Sequence, residues 1–367
     1  MKPTLPQIVS QFQIEGELVE IKPYGSGHIN STFLVQLSQG AGREQGLILQ
    51  RINQHVFTEP EKVMANIGRV TAHLCQKIVK DGGDPSREAL TFLPTKNGRF
   101  YHKTSSGDYW RMELFIEGAK TYQHAPSLQH YYEAAYAYGR FQSLLADFPV
   151  NELYETIPHF HHTVKRLVAF ETAVAQDSAK RASTVTEEIS FIRERTDMAP
   201  VLTTLQETGQ IPLRVTHNDT KFDNVMIDIQ TGKGVCVIDL DTVMPGIAMF
   251  DFADAVRSGA NLAAEDESET DKVTFSLEIY ARLAHGFLDA THHNLTPLEI
   301  DHLAFAARLI TYEQAMRFLT DYMNGDRYYK TDHPQHNLDR CRTQIRLLQL
   351  MEASQVEMAE IIETYRD

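Results

Sequence analysis

One stretch of this sequence holds, within eight residues, the group types that moving a phosphoryl group requires. His217-Asn218-Asp219-Thr220-Lys221-Phe222-Asp223-Asn224 sets a carboxylate, an ammonium and a side-chain amide at short intervals, and the apolar run 235–238 then ends on Asp239. Phosphoryl transfer asks for little covalent chemistry from a protein. It needs a nucleophile aimed, phosphates held still and developing charge neutralised. Asp219 is the candidate catalytic base, and its carboxylate would also meet the substrate hydroxyl whose proton it accepts. Lys221, two residues on in an extended loop, projects from the same face and can meet the transferring group. Asn224 offers a neutral oxygen and Asp239, 20 residues past Asp219, a charged one. Such a pair, completed by water and phosphate, fits Mg2+ rather than Zn2+. The competing reading is a polar surface loop backed by a buried strand; four positions of the right type followed by the right strand weigh against it.

The elements upstream must position a nucleotide against these groups. Residues 7–20 read as a short amphipathic helix running into a strand. The segment 21–35 reads as a hairpin turning at Gly25-Ser26-Gly27-His28-Ile29-Asn30. A glycine pair in a hairpin is common, but this one precedes a strand at 46–52 and a helix at 59–80, as a phosphate-covering turn should. Gly25, Ser26 and Gly27 are therefore candidate nucleotide contacts, and Asn30 stands where a G-x-G-x-x-G pattern has its third glycine. The strand that should carry a phosphate-pairing lysine reads Leu49-Gln50-Arg51. Gln50 or Arg51 must take that role, and strand alternation lets only one of them face the cleft. The nearest helix acids are Glu59 and Glu61. Further strands are expected at 89–93, 99–103 and 109–116, with a hinge near Glu113-Leu114-Phe115-Ile116-Glu117-Gly118, which brings Glu113 and Phe115 to the nucleotide.

Beyond residue 126 helical periodicity dominates, at 126–147, 164–178, 184–207, 268–289, 296–323 and 338–365, interrupted by the β-rich patch 213–240. The expected architecture is α+β and bilobal. Residues 1–116 would form a small β-rich nucleotide-binding lobe with one long helix. Residues 117–367 would form a larger, mainly helical lobe for catalysis and substrate, with the ligands in the cleft between them. Asp251 begins a helix, as its N-cap or as a brace for the loop at 217–224.

Bulk properties bound the partners. The chain has 367 residues, 42% of them hydrophobic, enough for two lobes. Acids exceed bases by 49 to 35, and the net charge of −14 opposes nucleic-acid binding. No apolar run is long enough to span a membrane, and the N-terminus lacks a signal peptide's apolar core. Three scattered cysteines, Cys75, Cys236 and Cys341, read as reduced thiols, so a cytoplasmic location is expected, with the chain a monomer or weak homo-oligomer. His159, His161 and His162 lack an acidic or thiol partner at metal-site spacing.

With these residues in place, the sequence resembles the aminoglycoside phosphotransferase and choline kinase superfamily, whose fold is protein-kinase-like, through His217-x-Asp219-x-x-x-x-Asn224 and Ile238-Asp239. It is similar more narrowly to the N-acetylhexosamine 1-kinase branch. The strings that carry this are Gly27-His28-Ile29-Asn30, Ile48-Leu49-Gln50-Arg51, His217-Asn218-Asp219-Thr220-Lys221-Phe222, Ile238-Asp239-Leu240-Asp241-Thr242-Val243-Met244-Pro245-Gly246 and Arg317-Phe318-Leu319-Thr320-Asp321-Tyr322. That resemblance implies ATP and Mg2+ as cofactors, transfer of the γ-phosphate to the anomeric hydroxyl of an N-acetylhexosamine, and His28, Arg317 and Tyr328 as sugar contacts. Arg317 reads equally well as a surface or salt-bridge residue. An aminoglycoside- or choline-type kinase acting on a cationic alcohol uses the same machinery. A nucleotide-sensing scaffold is the reading from another class, and the missing strand lysine is its only motive.

Overall fold

The computed structural model describes residues 3–25, 29–40, 42–291 and 293–366. The N-terminal lobe is built on five antiparallel strands in the order β1-β2-β3-β5-β4: β1 (Glu17–Pro23), β2 (Ser31–Ser38), β3 (Glu44–Arg51), β4 (His102–Lys103) and β5 (Tyr109–Leu114). Alternation gives the sheet two faces. Val35, Leu37, Leu47, Leu49, Trp110 and Met112 pack under the short helix α1 (Leu5–Val9), with Ile8, Val9 and Phe12 closing a small core. The other face turns toward α2 (Pro60–Lys80), whose Val63, Ile67, Val70, Leu74 and Ile78 recur at helical spacing. These α2 residues belong to the core of the C-terminal lobe rather than to the small one. The long helix thus ties the lobes together, and Asn66 on it donates to the carbonyls of Tyr154 and Val243 at 2.8 and 3.0 Å.

A single turn of helix, α3 (Pro85–Glu88), and the short strand β6 (Ala119–Lys120) lead into the second lobe. There α4 (Leu128–Leu144), α5 (Thr163–Gln176), α6 (Thr186–Arg193), α7 (Pro200–Glu207), α8 (Ala248–Gly259), α9 (Leu277–Thr291), α10 (Pro297–Asp301), α11 (Leu303–Met323), α12 (His336–Ala353) and α13 (Gln355–Thr364) surround two small sheets. One sheet orders β6-β8-β9, with β8 (Val225–Asp228) and β9 (Gly234–Val237). The other pairs β7 (Arg214–Thr216) with β10 (Met244–Gly246). Helix α11 is buried on nearly all sides and forms the axis of the lobe. The result is the bilobal α+β arrangement expected, with a β-rich N-terminal region and a mainly helical remainder.

Several elements depart from their sequence-based limits for local reasons. The helix expected within 7–20 is only five residues long, and Gly16 at φ 101° turns the chain into β1. The strand expected at 89–93 reduces to a lone bridge from Phe92 to Glu113, just after α3, which Asp84 caps on the Ser86 amide. The strand expected at 99–103 shortens to His102–Lys103. The 184–207 helix breaks in two because Pro200 can only begin a helix. The 268–289 helix starts later, at Leu277. A capping box at Thr296 and Glu299 makes α10 a separate turn ahead of α11.

Helices α4 and α9 approach so closely that each supplies a glycine where no side chain fits. A Cβ on Gly286 would lie 2.2 Å from the Tyr132 carbonyl oxygen, and one on Gly139 would lie 2.8 Å from that of Phe287. Gly286→Ala must push these helices apart. It is expected to destabilise the protein by about 1–3 kcal/mol, seen as a lower urea midpoint at unchanged slope.

Candidate active site in the cleft between the lobes

Strand β7 delivers the chain into the 217–224 loop, and buried polar groups fix every turn of it. Asp251, at the start of α8, accepts from the backbone N–H groups of His217 and Asn218 at 2.9 and 2.8 Å and from Gln142 Nε2 at 2.7 Å. Burial pushes its carboxyl pKa up, against the pull of His217 and these donors. Asp254, one turn on, accepts from the Thr220 amide at 3.0 Å and from Arg257 Nε at 2.8 Å. The His217 ring reaches the Ile238 carbonyl at 2.8 Å, tying the loop to the strand that carries Asp239. Asn218 and Asp239 both hold positive φ, 66° and 59°, a strain these contacts sustain next to the reacting groups. Asp251 is therefore a brace for the loop and caps nothing of its own helix.

The loop brings its chemistry-bearing side chains together. Lys221 Nζ lies 3.2 Å from Asp219 Oδ1, and Asp219 is 23% exposed. Asp219 raises the Lys221 pKa, so the ammonium stays charged. Asn224 Nδ2 donates to the Asp219 carbonyl at 2.9 Å and sits 3.5 Å from Asp219 Oδ2, which leaves the amide oxygen as the atom able to ligate. Asp239 is pushed up to about 7 by burial and by Asp241 and Asp219, against Arg111 and Lys221. Three carboxylates thus crowd a region held by two cations, a surplus that a divalent ion would neutralise. Among the described residues no three His, Cys, Asp or Glu side chains form a metal-binding group. Asp239 and Asn224 could hold a divalent ion only if it keeps water and phosphate as its other ligands.

Between the lobes opens a cavity of about 370 Å³, lined by Gly25, Gln50, Glu113 and Phe115 from one side and by Asn224, Met226, Ile238 and Asp239 from the other. Ser26, Gly27 and His28 lie outside the described residues. The choice between Gln50 and Arg51 resolves geometrically: Gln50 lines the cavity, whereas Arg51 faces away, exposed, 3.8 Å from Asp108. Arg51 therefore departs from its expected place.

The cation missing from β3 comes from the next strand. Arg111 on β5, in register with Gln50, is 2% exposed and lines the same cavity. It forms a buried ion pair with Asp241 and donates through Nε to Gln50 Oε1 at 2.9 Å. Asp241 also accepts from Asn30 Nδ2 at 2.6 Å. Only the strand pairing of β3 with β5 reveals this arrangement, so sequence order hid it.

Arg317 and Tyr328 line a separate cavity of about 160 Å³ with Arg166, Asp321 and Tyr329. The Arg317 guanidinium stacks on Phe160 and Tyr329, at 4.9 and 5.9 Å, and donates to Gln314 Oε1. Arg317 is thus half-buried against aromatic rings rather than free in solvent. Burial and Arg317 push the Arg166 pKa down. The Asp321 carboxylate is occupied by the amides of Arg327, Tyr328 and Tyr329 and by Asn337. His161 bridges this region to the catalytic loop, its ring nitrogens 2.9 Å from Glu313 Oε1 and 3.2 Å from the Asn218 carbonyl. Burial works to raise the Glu313 pKa, but His161, Arg317 and Thr163 hold it below the usual value. The partner of His161 is 152 residues away, so no local spacing could announce it.

Comparison with known proteins agrees with this geometry. Residues 20–284 match the family described as the phosphotransferase enzyme family. The fold is shared with an aminoglycoside phosphotransferase from Alicyclobacillus acidocaldarius, at a TM-score of 0.59 and 13% identity over 99% of this chain and 98% of that one. It is shared also with the amicoumacin kinase hAmiN in complex with AMP-PNP, Ca2+ and Ami, at 0.58 and 10% over 92% and 91%. A choline kinase from Cryptosporidium parvum matches at 0.52 and 16% over 95% and 93%.

Removing one half of the Arg111–Asp241 pair strands a buried charge. Arg111→Leu is expected to cost about 3–5 kcal/mol in urea unfolding, while Arg111→Leu with Asp241→Leu recovers most of that loss.

Proposed function

This chain belongs to the phosphotransferase enzyme family, and we propose that within it the protein is an ATP- and Mg2+-dependent kinase of a small-molecule alcohol. The acceptor we propose is a sugar hydroxyl, specifically the anomeric 1-hydroxyl of an N-acetylhexosamine. The observation that carries the reading is the meeting of Asp219, Lys221 and Asn224 in one hydrogen-bonded group beside a cavity that Asn224 and Asp239 share with the N-terminal lobe. Bound Mg2+-ATP would supply the γ-phosphoryl group and neutralise its oxygens. The neighbour in complex with AMP-PNP and Ca2+ supports a nucleotide and a divalent ion. Asp239 and Asn224 would hold the metal. Gly25, Gln50, Glu113 and Phe115 would hold the nucleotide, with Ser26 and Gly27 covering it. Asp219 aims the acceptor hydroxyl and takes its proton at a carboxylate oxygen, while Lys221 keeps positive charge beside it.

For the acceptor, the lining of the second cavity supports a neutral polyol. Tyr328 and Tyr329 offer rings and hydroxyls, and Arg317 a half-buried donor. His28 joins these contacts on the family resemblance. A cationic alcohol would need free carboxylates or an aromatic cage. Here Arg166 and Arg317 bring positive charge, and the Asp321 carboxylate is already spent on backbone amides. The proposed division puts nucleotide binding in 1–116 and catalysis with acceptor binding in 117–367. A cytoplasmic monomer or weak homo-oligomer completes the proposal: no described helix is long and apolar enough to cross a membrane, and all three cysteines are free thiols.

The deciding experiment offers ATP with a panel of N-acetylhexosamines, other sugars and cationic alcohols, the product position being read by phosphorus NMR. A sugar 1-phosphate is the expected product; transfer only to aminoglycosides or choline replaces the sugar reading. Asp219→Asn is expected to lower turnover by about two or more orders of magnitude with Mg2+-nucleotide affinity near that of the parent; turnover near the parent rate would remove Asp219 as the base. Asp239→Ala is expected to abolish the metal dependence of nucleotide binding in calorimetry.

A further inference from the structure

The second cavity carries more positive charge than an uncharged acceptor can use. Arg166 on α5 and Arg317 on α11 both line it, and both are half-buried. Their contacts are with neutral groups. Arg166 donates through Nε and Nη2 to the Phe160 carbonyl at 3.1 and 2.8 Å. Arg317 donates through Nη1 to Gln314 Oε1 at 3.1 Å, and its guanidinium lies 4.9 Å from the centre of the Phe160 ring. Phe160 thus gathers both cations. Among the described residues neither guanidinium forms an ion pair, and Arg166 Nη1 and Arg317 Nε and Nη2 have no hydrogen-bond acceptor.

The carboxylates nearby are already taken. Asp321 lines the same cavity, but its Oδ1 accepts from the Arg327 and Tyr328 amides and its Oδ2 from the Tyr329 amide and Asn337 Nδ2, all at 2.9–3.0 Å. Glu313, four residues before Arg317, is wholly buried, with one oxygen 2.9 Å from His161 and the other accepting from Thr163 at 2.7 Å. Two guanidiniums therefore face one cavity with their charges unmatched, in a chain whose net charge is −14. Burial, then Arg317, pushes the Arg166 pKa down, yet an arginine stays charged at any ordinary pH. Like charges held together in partial burial lack a counter-ion, and planar forks with free N–H groups match the oxygens of a phosphate.

We propose that Arg166 and Arg317 form an oxyanion subsite that takes a phosphate group, free or carried on a sugar, and that its occupant competes with the uncharged acceptor. The competition rests on the acceptor site proposed above; the binding of the anion does not. A neutral sugar meets the free N–H groups of the cavity but leaves both charges unmatched, whereas a phosphate meets the N–H groups and the charges together. The subsite is separate from the interlobe cavity, whose lining includes neither arginine.

Calorimetric titration of the whole chain at constant ionic strength, without nucleotide, tests the subsite with two probes, inorganic phosphate and an N-acetylhexosamine 6-phosphate. Saturable binding is expected with a Kd of about 1 mM or below, as two charge-assisted contacts imply. Binding of inorganic phosphate makes the free ion sufficient; binding of the sugar phosphate alone assigns the subsite to phosphorylated sugars. Arg166→Gln and Arg317→Gln are each expected to weaken that binding about tenfold or more, and Arg166→Lys, which keeps the charge, to weaken it less. The neutral N-acetylhexosamine is expected to raise the apparent Kd of the phosphate probe. Failure of both probes to saturate, or a folded glutamine variant with the parent affinity, overturns the proposal. Should neither glutamine variant fold, phosphate binding unchanged by saturating Mg2+-ADP supports the subsite, and binding abolished by it places the ion in the interlobe cleft and overturns it. Turnover plays no part, so failure here leaves the kinase reading standing. Phosphate binding that the neutral sugar does not weaken overturns the competition, and a chain that phosphorylates no alcohol in the acceptor panel overturns the kinase reading, without touching the anion site.

Discussion

One buried ion pair joins the two halves of this active site. Arg111 comes from the N-terminal sheet and Asp241 from the segment that has just left Asp239, and both side chains are 2% exposed. Charges so placed must be matched closely, because desolvation cancels much of their attraction. The match is supplied by Gln50 on Arg111 and Asn30 on Asp241. Asn30 also accepts from the Asn53 amide at 2.9 Å, which anchors the end of the glycine turn to the chain leaving β3. The network therefore sets Asn30, β3 and the segment following Asp239 relative to one another. A lysine on β3 would do this with one long flexible arm; here the planar guanidinium of a neighbouring strand does it with a fixed fork.

The catalytic loop follows a related logic inside one lobe. Its residues adopt backbone angles that an unsupported chain would leave, and the cost is met by carboxylates buried behind it. Asp251 holds two successive amides and Asp254 a third, while Thr242 Oγ1 donates to the His217 carbonyl at 2.6 Å. Support of this kind fixes the backbone on both sides of Asp219 without a ligand. The His161 link from Glu313 to the Asn218 carbonyl extends the support to α11, the axis of the lobe and the helix that carries Arg317.

What the sequence disclosed and what it hid divide along physical lines. The loop 217–224 and Asp239 were legible because their spacing is local and their types are unusual together. The helices α2, α4 and α5 were legible because their apolar periodicity is strong, with limits within three residues of those observed. The limits of short strands such as His102–Lys103, expected from residue 99, were not, since two residues carry no alternation. Arg111 escaped because its importance depends on a neighbour in the sheet 61 residues earlier, Gln50, and an ion-pair partner 130 residues later, Asp241. The Gln50–Arg51 alternative needed the facing of β3, which the pleat fixes only after the strand is paired.

The site's charge distribution divides it into two unlike ends. Toward one end, Asp219, Asp239 and Asp241 outnumber Lys221 and Arg111, and burial together with the neighbouring carboxylates pushes the Asp239 carboxyl pKa up. Toward the cavity lined by Arg317 and Tyr328 the balance reverses, and burial together with the Arg317 charge pushes the Arg166 pKa down. The aromatic faces of Phe160 and Tyr329 offset part of that repulsion at Arg317. Lys221 stands between the ends. Its ammonium is stabilised first by Asp219, then by Glu265 and Asp254, and is opposed by Arg257, so the junction is set by the same Asp254–Arg257 pair that holds the Thr220 amide. A divalent cation gains at the first end and a second cation loses at the other. The field of the folded chain thus differs in sign between the two ends, despite a net charge of −14 that by itself would attract cations everywhere.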